Sequence, residues 1–97
     1  MRENDCVKEI LKEQRRESGK FKFIYRLTAT KSRRVASFRL PLYSISVTMF
    51  DGDIESYHEL KEIFADLGKA ITFFDEIVDS LVTPIDLPYI LEDKILT

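Results

Sequence analysis

The chain has 97 residues, 44% of them hydrophobic, with seven Phe, four Tyr, a single Cys and a net charge of −2. That is enough apolar material for one packed core and too little for two, and it favours a packed globular fold over a disordered chain. A lone Cys6 excludes an internal disulfide framework, and no apolar run reaches the roughly 18–20 residues that a membrane span needs. The opening Met1-Arg2-Glu3-Asn4-Asp5 lacks the apolar segment of a secretory signal, so the expectation is a cytoplasmic protein with no membrane partner.

In chain order, residues 7–17 fit two readings. One is a charged amphipathic helix led by Val7, Ile10 and Leu11; the other is a first strand joined to the next through Ser18-Gly19. A third state, a flexible or partly ordered segment over 1–18, stays open beside them. Residues 21–30 alternate, with Phe21, Phe23, Tyr25, Leu27 and Ala29 on one face and Lys22, Arg26, Thr28 and Thr30 on the other. Period two with aromatic and aliphatic residues predicts a half-buried strand. A second strand is predicted at about 40–50, where Tyr43, Ile45, Val47 and Met49 alternate with Ser44, Ser46 and Thr48. Asp51-Gly52-Asp53 is a hairpin signal and calls for an antiparallel return strand from Ile54. The same stretch carries a helical stripe, Tyr57, Leu60, Phe64 and Leu67, with Ser56-x-x-Glu59 as a capping box and Gly68 as a stop.

A helix is predicted over 67–81, where Ala70, Phe73, Phe74, Ile77, Val78 and Leu81 recur at helical spacing behind Asp66 as N-cap. A last short helix follows Asp86 as N-cap, with Pro88 in its first turn and Leu87, Ile90, Leu91 and Ile95 on one face. Strands first and helices last predict one α+β domain over 1–97. Its expected architecture is an antiparallel sheet of three or four strands, followed by two C-terminal helices packed on one face.

From Tyr43 onward the chain resembles a family of short clostridial-type bacterial proteins known only as a domain of unknown function. The residues that carry the resemblance are the strand Tyr43-Ser44-Ile45-Ser46-Val47, the hairpin Asp51-Gly52-Asp53 and the stretch Thr83-Pro84-Ile85-Asp86-Leu87-Pro88-Tyr89-Ile90-Leu91-Glu92-Asp93. Similar members often carry Gly after the Tyr and His at the position of Asp86, and Ser44 and Asp86 depart from both. The resemblance implies a strand over 54–64. It implies no activity, cofactor or partner.

The small net charge hides a split. Residues 1–39 hold twelve Lys and Arg against five Asp and Glu, whereas residues 40–97 hold three against twelve. One reading is a binding surface. Arg15, Arg16, Lys31, Arg33, Arg34 and Arg39 form the candidate, because clustered cations neutralise phosphates and release counterions. The other reading is that the two halves neutralise each other, within one fold or between two copies.

Asp51, Asp53 and Glu55 lack the remaining ligands of a calcium loop, and His58 is a lone histidine without a partner nucleophile. No glycine-rich phosphate loop is present, so no catalytic residue, metal or cofactor is assigned. The expected function is a non-catalytic protein-binding or self-associating regulatory domain, with a protein partner or homodimer. A nucleic-acid-associated regulator is the alternative, and a small-ligand-binding protein or enzyme stands last.

Overall fold

The computed structural model describes residues 6–32 and 41–96. Four strands, β1 (Cys6–Ser18), β2 (Phe21–Ser32), β3 (Leu42–Asp51) and β4 (Ile54–Phe64), precede two helices, α1 (Leu67–Asp79) and α2 (Leu87–Leu96). The strands pair antiparallel in the order β1-β2-β3-β4. The first segment is therefore a strand, and the sheet has four.

Two glycines turn the hairpins. Ser18 pairs with Phe21 and Asp51 with Ile54, so each loop has two residues, and Gly19 (φ 59°) and Gly52 (φ 64°) take the first position. Short hairpin loops follow the strand twist when a central residue has positive φ, which glycine adopts without a side-chain clash.

Alternation along β2 and β3 sends Phe23, Tyr25, Leu27 and Ala29, with Tyr43, Ile45 and Val47, to one face. These join Leu60 of β4, the apolar stripe Ala70, Phe73, Phe74, Ile77 and Val78 of α1, and Leu87 of α2 in one buried cluster. Fully burying each large side chain contributes about 1.5–3 kcal/mol, so this cluster holds the helices on the sheet. Beyond it, Phe64 at the end of β4 meets Phe73 at 5.4 Å between ring centroids.

β4 is a strand despite its helical stripe. Leu60 pairs with Ile45 and Phe64 with Tyr43, so both face the helices, while Tyr57, opposite Thr48, faces the other way. The four-residue spacing of Leu60 and Phe64 therefore spans a register irregularity. At its centre Glu62 takes φ 53°, and its N–H donates to Ser44 Oγ at 2.8 Å. Gly68 lies in the first turn of α1 and stops nothing.

α1 begins as expected, with the Asp66 side chain accepting from Lys69 N–H at 3.1 Å. It ends two residues early. Leu81 takes φ 54° and donates to Val78 O, while Val82 N–H donates to Ile77 O at 3.1 Å. That is a Schellman closure with Leu in the left-handed position usually taken by Gly. Buried Ile77 and Val82 supply its apolar contact. α2 is entered through a turn in which Thr83 Oγ1 donates to Asp86 Oδ2 (3.1 Å) and Asp86 N–H reaches back to Thr83 Oγ1 (3.3 Å). Pro84 follows Thr83 in this turn, where a missing N–H costs nothing.

Candidate functional site

Of the six cations expected to form one surface, Arg15, Arg16 and Lys31 fall within the described residues. Arg33, Arg34 and Arg39 lie outside the described residues, and Lys31 belongs to β2 opposite Val7. Arg15 and Arg16 are neighbours on a strand and so point to opposite faces. Arg16, opposite Phe23, lies on the helix side and donates to Val78 O at 2.9 Å. α1 has no basic residue in its own last turn, so β1 supplies the cation that its carbonyl end favours. Arg15, opposite Ile24, lies on the other face and bonds Glu13 at 3.1 Å.

Glu13 also accepts from Arg26 Nε at 2.8 Å. Hydrogen bonds from Arg26 first, then Arg15, hold its carboxyl below the ordinary value. Lys12 meets Asp75 of α1 at 3.2 Å and lies 5.6 Å from the Phe74 ring centroid. Lys20 faces Asp51 at 3.5 Å. Lys12, Arg16 and Lys20 thus join the basic half to the acidic half inside one molecule. At the acidic hairpin, Asp51 is taken by Lys20, and Glu55 lies across from Phe50 on the opposite side of the sheet from Asp51. His58 stands opposite Val47, half-buried on the helix side.

Two surfaces remain as candidates. One is an open groove of about 920 Å³ between α1, α2 and the end of β4, with Ile63, Phe64, Phe73 and Leu91 in its lining. Asp66 at its edge is already engaged as the N-cap of α1. The other is the sheet face turned away from the helices, which no described element covers. Its side chains follow from register. β2 presents Lys22, Ile24, Arg26 and Thr28; β3 presents Phe50, Thr48, Ser46 and Ser44; β4 presents Glu55, Tyr57 and Glu59.

On that face Tyr57 is 55% exposed and Ile10 57% exposed. Ile10 reaches it through the register shift between Ile10 and Lys12, which turns the first half of β1 over. The small hydroxyl residues of β3 lie buried in the trough between longer neighbours. This face escapes sequence reading as a site because its residues are the polar half of an alternation. Only the pairing register lines them up across three strands.

A model of a family of unknown function, DUF6514, matches residues 5–97. No curated protein and no solved structure matches the chain.

Proposed function

The chain belongs to this family of unknown function, and we propose that it acts as a non-catalytic protein-binding domain of the cytoplasm whose binding surface is the uncovered face of its sheet. One observation carries the reading. Both helices pack on the Phe23–Tyr25–Leu27 face, and the opposite face presents Ile10, Ile24, Phe50 and Tyr57 without a covering element among the described residues. Apolar and aromatic groups set among small hydroxyls and flanked by charge match the anatomy of a protein interface. Cations and carboxylates alternate over the face, with Lys22 and Arg26 on β2 and Glu55 and Glu59 on β4. A nucleic-acid track wants one sign of charge instead. The lone Cys6 suits a reducing compartment.

The test places a photo-crosslinking amino acid at Tyr57 or, as control, at Tyr89, which is at least as exposed but lies on α2. In cells that produce the protein, the Tyr57 position should yield a discrete protein adduct and the Tyr89 position none. Adducts to nucleic acid at Tyr57, or no adduct there, overturn the proposal.

A further inference from the structure

The register of the sheet places three rows across the uncovered face, each running from β2 through β3 to β4. Lys22 is level with Phe50 and Glu55; Ile24 with Thr48 and Tyr57; Arg26 with Ser46 and Glu59. In both outer rows a cation on β2 stands at the same level as a carboxylate on β4, with a neutral residue of β3 between them. The strands that carry them lie about 10 Å apart, and neither cation pairs with the carboxylate at its level within one copy. Lys22, Glu55 and Glu59 have no ion pair among the described residues.

Turn a second copy by 180° about an axis that runs along β3 in the plane of contact. β2 of one copy then lies over β4 of the other, and every residue keeps its level. Lys22 meets Glu55, Arg26 meets Glu59 and Ile24 meets Tyr57, each twice, while Phe50 and Thr48 meet their own copies on the axis. We infer that the partner of this face is a second copy of the chain, docked sheet to sheet about a two-fold axis along β3. The inference rests on the reading of this face as the binding surface and names its occupant.

Four physical points support that geometry. Sheets packed face to face run within about 30° of each other, which displaces a strand one spacing from the axis by only about 2–3 Å, within reach of Lys and Arg. The apolar row, Ile24 against Tyr57, falls between two charged rows, giving an apolar centre and a charged rim. The three strands that overlap about this axis, β2, β3 and β4, offer over about eight to ten levels about 400–450 Å² per copy, below the standard size of specific interfaces, and so fit a weak, reversible dimer. Arg26 is already oriented by Glu13 at 2.8 Å, which fixes one end of its guanidinium and leaves other donors for the partner.

Sedimentation equilibrium of the whole chain, with Lys22→Glu and Glu55→Lys variants, tests the inference. The wild type should run as a monomer–dimer equilibrium in the micromolar range. Either charge reversal sets like charges against each other at both symmetry-related contacts and should weaken association about tenfold or more. Mixing the two variants should restore dimers. The carboxylate introduced in one variant then meets the ammonium introduced in the other, and the unchanged Glu55 of the first meets the unchanged Lys22 of the second. Circular dichroism of each variant monitors the fold, and recovery on mixing excludes misfolding as the cause. A wild type that stays monomeric at the highest soluble concentration overturns the two-fold dimer. The protein-binding reading would then stand on a Tyr57 adduct to a different protein. Dimers indifferent to both reversals but abolished by Gln14→Pro on the edge strand β1 would overturn it in favour of edge-to-edge pairing.

Discussion

Single residues explain several positions that composition leaves unmarked. Tyr25 lies fully buried at the centre of the sheet, and its hydroxyl donates to Val82 O at 3.0 Å, tying β2 to the segment after α1. Burial pushes the phenol up to about 12, with Arg16 opposing the shift. The folded state therefore holds this proton more tightly than the unfolded chain, whose Tyr titrates near 10. The resulting stability is fully present below about pH 10 and is lost as pH rises toward about 12, roughly 2–3 kcal/mol over the window. Denaturant unfolding of wild type and Tyr25→Phe across that range should show a steeper alkaline loss in the wild type. At neutral pH the variant should be about 1 kcal/mol less stable, because Val82 O loses its donor. Parallel pH profiles would exclude Tyr25 as the buried group. In the sequence Tyr25 is legible as a core residue from its alternation with Phe23 and Leu27. Its hydroxyl partner is not, because 57 residues separate the two in the chain.

At the scale of elements, β4 is where sequence and structure part most sharply. A helical stripe and a hairpin signal compete for residues 54–65, and the strand wins because the hairpin binds it to β3, whose face is already committed to the core. The irregularity at Glu62 sets Phe64, and not Glu62, opposite Tyr43, and alternation alone cannot announce it. Ser44 makes it tolerable by accepting the Glu62 N–H. Glu62 is exposed and left-handed, a conformation that costs a non-glycine residue about 1 kcal/mol. Glu62→Gly should accordingly raise stability by up to about 1 kcal/mol, and Ser44→Ala should lower it by about as much by orphaning the N–H. Urea unfolding measures both, and a destabilised Glu62→Gly would refute this account of the bulge. The last turn of α1 teaches the same lesson. Leu81 fits the helical stripe by spacing, yet it leaves the helix to make the left-handed closure. β1 is undecided in sequence because its inward residues include Lys12 and Arg16, whose charged ends pair with α1 instead of joining the apolar cluster.

At the scale of the whole molecule, three contacts among the described residues tie the basic first half to the acidic second half. Lys12–Asp75, Arg16 at the carbonyl end of α1, and Lys20–Asp51 bring the two halves together when β1 and the hairpins fold beside the helix. Outside these contacts, among the described residues, the uncovered face is cationic along β2 and anionic along β4. Strand alternation makes the polar composition of that face legible. Its organisation into complementary rows depends on register, which the residues of one strand do not reveal. The central claim is that this face, and not the helical side, is where the protein meets a second copy of itself. Amide chemical shifts followed as the protein is diluted from high to low micromolar concentration test it most directly. The account predicts changes at Lys22, Ile24, Thr48, Phe50 and Tyr57, with Leu67, Ile85 and Tyr89 unmoved; changes confined to the helical side, or none at any concentration, would contradict it.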